Sequence, residues 1–258
     1  MLKIPTIEEM LKAGMHFGHQ TSRWHPKMKP YIFGAKNGIY IIDLVKSQEM
    51  LKNALELIQK SVSEDKKILF IGTKTQVKKE MKEMCKQIEM PYVVEKWMGG
   101  CLTNFSVLKK TIKKFKDLSL KKETGKLNKY TKKERLDFDR EIEKLELKVG
   151  GLVSLYKAPD LVFVWDIKRE ATAINEAKKI GIPVIGVCDT NSNPKYIDHI
   201  IPANDDATKT IKLVLNCIRG AVEAGKANKT SPVQNTAKSS DFTKAPADKS
   251  SSVKTNKK

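Results

Sequence analysis

Three short runs decide what this chain can fold into: KKILFIG at residues 66–72, LVFVWD at 161–166 and IPVIGVCD at 182–189. Each is apolar at consecutive positions, where a half-exposed strand would alternate. Strands of that kind have both faces out of water, as in a parallel sheet covered by helices on each side. The segments between them supply the helices. Apolar residues at 50, 51, 54, 55, 57 and 58 predict a helix over about 46–61, and TQVKKEMKEMCKQI predicts another. Further helices are expected near 170–180 and from about Asp205 to Ala224, with Asn204 as N-cap. Residues 6–13 read as a short helix opened by Thr6, with Glu9 three positions on. PYVVE (91–95) and HII (199–201) read as additional strands, and GIYIIDL (38–44) as a buried one. Strands alternating with helices imply right-handed crossovers and an α/β fold.

The middle of the chain breaks this rhythm. Phe105, Leu108, Ile112, Phe115 and Leu118 recur at near-heptad intervals, and Phe138, Ile142, Leu145, Val149 and Leu152 at steps of 4, 3, 4 and 3. Thr131 and Glu134 form a capping box at the start of the second run, and ETGKLNKY between the runs holds a turn. Two narrow apolar seams joined by a short loop predict an antiparallel coiled-coil helical hairpin. It spans 106–150, inserted into an α/β domain made of 1–105 and 151–226. From Ala227 to Lys258 the chain is rich in Ser, Thr, Lys, Asn and Ala, and is expected to form a disordered basic tail.

Charge narrows the function. The formal net charge is +19, distributed as +6 over 1–105, +7 over 106–150, +1 over 151–226 and +5 over 227–258. Within the hairpin, 106–133 carries +9 and 134–150 carries −2. Such an excess repels itself in a compact fold and fits a polyanionic partner. No apolar run approaches the length of a membrane span, and nothing at the start reads as a signal or transit peptide. The four cysteines, Cys85, Cys101, Cys188 and Cys217, are far apart in apolar segments, which suits a reducing compartment and not a disulfide framework.

The stretch HFGHQTSRWHPKMKPYIFGAKNGIYIIDL, residues 16–44, concentrates polar chemistry. His16, His19 and His25 invite zinc, but His-x-x-His on a loop lacks the i, i+4 spacing of a helical site and a clear fourth ligand. IGTKT (71–75) places a Gly and a Lys between strand and helix without a Walker loop. Asp43, Asp166 and Asp189 stand at strand ends, where α/β enzymes gather catalytic groups. No nucleophile pattern accompanies them, so capping and loop-holding is their expected task, with a nucleotide-binding enzyme as the alternative. We therefore expect no catalytic, cofactor or metal site and a binding surface instead. Its candidates are His16, His19, Arg23, Trp24, Lys27, Lys29, Tyr31, Lys36 and Asn37 in the opening stretch. Lys96, Trp97 and Asn104 repeat the mixture, and Lys109, Lys110, Lys113 and Lys114 form a basic helix face. Cations interleaved with aromatics suit structured RNA.

At these residues the chain resembles a known family. The opening stretch, KWMGGCLTNF, the TKKE that starts the second hairpin helix, APDLVFVWD, GIPVIGVCDTN and IPANDDA are similar, in order, to ribosomal protein two of the small ribosomal subunit. The resemblance runs from about Leu2 to Gly225. It implies a flavodoxin-like, mostly parallel sheet with helices on both faces and an inserted hairpin. It also implies a non-enzymatic, cytoplasmic component of the bacterial 30S subunit, bound to 16S rRNA near the head–body junction. Its neighbours would be other small-subunit proteins, including ribosomal protein one, which it helps recruit. Lys96 departs from the family's usual Arg, keeping charge without the bidentate fork; Met98, Cys101 and Trp165 are smaller departures.

Overall fold

The computed structural model describes residues 2–229. Five parallel strands form the central sheet: β4 (Ile68–Ile71), β5 (Tyr92–Val93), β6 (Leu161–Trp165), β7 (Val184–Cys188) and β8 (His199–Pro202), in spatial order β5-β4-β6-β7-β8. Counted within this sheet, the order is 2-1-3-4-5, that of the flavodoxin-like fold.

Side chains alternate across the sheet, although the strands read as unbroken apolar runs. Ile68, Phe70, Leu161, Phe163, Trp165, Ile185 and Val187 face one core. That core is closed by α2 (Leu44–Ser63), α3 (Thr75–Gln87) and α7 (Thr208–Lys229). Leu69, Ile71, Val162, Val164, Val184 and Cys188 face a second core, against α6 (Ala171–Lys179) and the segment around Met28. Gly186 serves that second face, since a Cβ there would lie 2.7 Å from Ile167 Cγ2. Each strand side chain removed from water contributes about 1.5–3 kcal/mol, so both faces must be covered.

The hairpin helices are α4 (Phe105–Glu123) and α5 (Lys132–Val149). Thr131 and Glu134 make the expected capping box on α5. Leu108, Ile112, Val149 and Leu152 belong to the second core, which roots the hairpin in the body. Beyond the root, Leu118, Ile142 and Leu145 form a small cluster flanked by Phe115 and Phe138. Lys122 pairs with Asp139 at 2.8 Å and Lys114 with Glu141 across the two helices, exposed contacts of little energetic weight.

Three expectations need correction. GIYIIDL is not a buried strand of the main sheet. Its β3 (Ile39–Ile42) lies between β1 (Phe17–Gln20) and β2 (Ile32–Lys36) in a separate antiparallel sheet, where Ile42 alone is buried. The cause is local: Asn37 (φ 52°) and Gly38 (φ 77°) make a tight hairpin that folds β3 back on β2. Asn204 does not cap α7 at its first turn. Its Oδ1 accepts from the backbone N–H of Asp206 and Ala207, and the helix starts at Thr208. Nor does the tail begin at Ala227, because α7 continues to Lys229, whose Nζ lies 2.7 Å from Asp65. The remainder of the expected tail lies outside the described residues. The short helix α1 (Ile7–Lys12) has the capping box that Thr6 and Glu9 predict.

Phe163 is fully buried, with its ring 5.5 Å from Phe70 and 6.4 Å from Trp165. Phe163→Ala should lower folding stability by about 3–5 kcal/mol, measured by urea denaturation.

Candidate nucleic-acid interface

Thr190 makes two of the bonds that tie the opening stretch to the main sheet. Thr190, just after β7, accepts the His19 N–H on its hydroxyl and the His25 N–H on its carbonyl, both at 2.8 Å. Gly18 permits this approach, because a Cβ there would lie 2.5 Å from Thr190 Cγ2. The three histidines then diverge. His16 stacks on Phe17, with centroids 3.9 Å apart, and burial lowers its pKa. The Nδ1 of His25 accepts the Lys27 N–H. His19 turns inward to carboxylates, so no three-histidine site forms.

Of the other candidates here, Arg23, Lys27, Lys29, Lys36 and Asn37 are exposed. Trp24 is half-buried against Tyr40, at 5.1 Å between centroids, and Tyr31 packs on the second core. Further along, Lys96 and Asn104 are exposed while Trp97 is buried. Lys109, Lys110, Lys113 and Lys114 are exposed on α4, with Lys109 5.3 Å from the Phe105 ring.

Nothing in the sequence around Glu176 marks it, yet it organises the second candidate segment. It is a buried residue of α6 whose carboxylate accepts from Trp97 Nε1 at 3.0 Å and from the backbone N–H of Gly100, Leu102 and Thr103 at 2.8–3.3 Å. Burial works to raise its pKa, but these donors outweigh it and hold the carboxyl below the usual range. One anion thus fixes the loop from which α4 departs.

His19 belongs to a cluster at the carboxyl ends of β4, β6, β7 and β8. Its Nδ1 lies 3.1 Å from Asp189 Oδ1 and its Nε2 3.7 Å from Asp206 Oδ2. Lys74 Nζ sits 2.8 Å from Asp205 Oδ1, 2.6 Å from Asp206 Oδ1 and 3.7 Å from Asp166 Oδ2. Burial opposes the Lys74 charge, but Asp205 and Asp206 outweigh it and raise its pKa. The hydrogen bond with Asp189 raises the His19 pKa against burial, and the charges of Asp189, Asp205 and Asp206 add to it. Burial, with Asp189 and Asp166, pushes Asp205 up to about 7 despite Lys74. Donor atoms of His19, Asp205 and Asp206 lie within 4.8 Å of one another, a set chemically able to hold a divalent cation.

Asp43 stands apart and caps α2, accepting from the N–H of Val45 and Lys46. The crevice where this strand order places nucleotides lies between β4 and β6. There Glu170 is buried and accepts from the Thr73 N–H, so that amide is already engaged by a carboxylate.

Two outcomes follow. Glu176→Ala leaves at least Trp97 and Leu102 as buried donors without their acceptor. At about 1–3 kcal/mol for each stranded donor, it should destabilise the protein by on the order of 3 kcal/mol, read by urea denaturation with indole fluorescence. Asp205 carries a folded pKa above its unfolded one, so stability falls as pH rises from about 4 to about 7. The raised pKa of His19 acts in the same direction, its contribution being lost as pH passes its folded value. Asp205→Asn should flatten that slope in thermal unfolding followed against pH.

Comparison with known proteins agrees with this architecture. Residues 10–225 match the family described as Ribosomal protein S2. The Small ribosomal subunit protein uS2 of Geotalea uraniireducens (strain Rf4) is 46% identical over 223 residues, 86% of this chain and 87% of that protein. Its namesake in Coprothermobacter proteolyticus (strain ATCC 35245 / DSM 5265 / OCM 4 / BT) is 45% identical over 225 residues, 87% of this chain and 84% of that protein. The match takes in the parallel sheet, the hairpin, the Glu176-held loop and the strand-end aspartates, and the chain belongs to the ribosomal protein S2 family.

Proposed function

We propose that this protein is a structural component of the small ribosomal subunit in the cytoplasm, bound to 16S rRNA near the head–body junction. The observation that carries the reading is the family match, nearly end to end, to proteins named for that subunit. The placement of charge supports the rRNA contact. The candidate cations of the opening stretch and of α4 are exposed, where phosphates can reach them, and contacts of this kind position a protein on RNA. The hairpin would act as a basic arm, held in direction by its root in the second core and by Glu176.

Ribosomal protein one and other small-subunit proteins are the protein partners in this reading. Phe33, on the edge strand β2, is 81% exposed, and Phe17 is 48% exposed. Aromatic side chains left in water on an edge strand support a protein contact on that sheet. The role is binding and not catalysis. The strand-end aspartates are engaged with Lys74, His19 and local backbone amides, and no helix among the described residues is long and apolar enough to cross a membrane.

Sucrose-gradient sedimentation of a lysate, before and after a high-salt wash, tests the reading. The protein should co-migrate with small subunits and be released by salt. Recovery only in the light soluble fractions would overturn it.

A further inference from the structure

Four lysines from three separate segments meet around one open groove: Lys27 and Lys29, Lys46 at the start of α2, and Lys195 after β7. Its apolar floor includes Pro30, Ile32 and Pro194. Two of the lysines stand on matching turns. In His25-Pro26-Lys27 the His25 Nδ1 accepts the Lys27 N–H at 3.2 Å, and in Asn193-Pro194-Lys195 the Asn193 Oδ1 accepts the Lys195 N–H at 3.1 Å. Each turn is also stiffened by a proline, whose φ is fixed. The His25 N–H bond to the Thr190 carbonyl ties the first turn to the strand end that leads to the second. Lys46 is pinned as well, its Nζ donating to the Pro30 carbonyl at 2.6 Å and lying 3.6 Å from Asp43.

The groove therefore gathers positive charge on a preformed backbone. Among the described residues, Lys27, Lys29 and Lys195 have no carboxylate within ion-pair distance; Lys195 lies only over its neighbour Tyr196, 5.2 Å from the ring centroid. Holding such charges together without counter-charge is unfavourable unless a polyanion supplies it.

We propose that this groove seats the phosphodiester backbone of RNA, as a site distinct from the α4 face and joining the opening stretch to the end of β7. The inference rests on the reading of the chain as an rRNA-binding component. Proline offers no N–H, and lysine is a point charge without a planar fork. Such a lining reads charge and not base sequence. It also lacks a large exposed apolar side chain to anchor a protein segment, Ile32 being half-buried.

The test uses the purified full chain and a 16S rRNA transcript, with the dissociation constant measured against salt. The variant Lys27→Gln/Lys29→Gln/Lys195→Gln spares Lys46, which holds the loop. Each lost phosphate contact should lower the log–log salt slope by roughly 0.7–0.9, so the triple variant should lose about 2–3. Lys195→Gln alone, a change at an exposed side chain outside both cores, should lose about 0.7–0.9 by the same rule. An unchanged slope in both variants, with the wild type bound, would overturn the groove and leave the ribosomal reading standing. Intact RNA binding with loss of subunit association would also overturn it, pointing to an acidic protein segment. A wild-type chain with no affinity for the transcript would remove the wider reading with it.

Discussion

Burying both faces of five parallel strands is the constraint from which the rest of the molecule follows. It requires helices on each side, so the chain alternates strand and helix and carries two apolar cores instead of one. It also sends every strand out at the same edge of the sheet. Asp166, Asp189 and Asp205 follow β6, β7 and β8 and are brought together there, whatever their separation in sequence. Like charges in a partly dry place are costly, and the fold answers with Lys74 from the end of β4 and His19 from the opening stretch. The cluster thus ties three parts of the chain to one edge.

The basic arm depends on a second arrangement of the same kind. The hairpin would be a loose pair of helices if its apolar seam were its only support, because the outer cluster is small. Its direction is set at the root, where Leu108, Ile112, Val149 and Leu152 enter the second core. The loop before it is set by Glu176, which gathers an indole and several backbone amides around one carboxylate. A lysine-rich helix on a fixed root presents its charges in one place, which lowers the ordering cost of meeting a rigid polyanion.

Much of this was legible in the chain. Unbroken apolar runs announced a covered parallel sheet, the 4-3 spacing announced the hairpin helices, and Thr6-Glu9 and Thr131-Glu134 announced two helix starts. Each is a local pattern with a local cause. The misreadings share a different one. GIYIIDL is as apolar as a core strand, and only the left-handed turn at Asn37-Gly38 assigns it to the small sheet. Asn204 has the right chemistry for a cap, but its side chain closes a turn just ahead of the helix. The carboxylates beside His19 lie more than a hundred residues away in the chain, a pairing that no local pattern shows.

What the sequence by itself determined is the set of elements, their order and the excess of positive charge, since periodicity, capping and composition are properties of neighbouring residues. Tertiary structure alone decided which charges meet. Lys27 and Lys29 join Lys195 because Thr190 and the buried Met28 hold the opening stretch against the end of β7, and Glu176 meets Trp97 because α6 packs beneath the loop. Electrostatic partners are chosen by distance in space, and that distance is a product of the packed core.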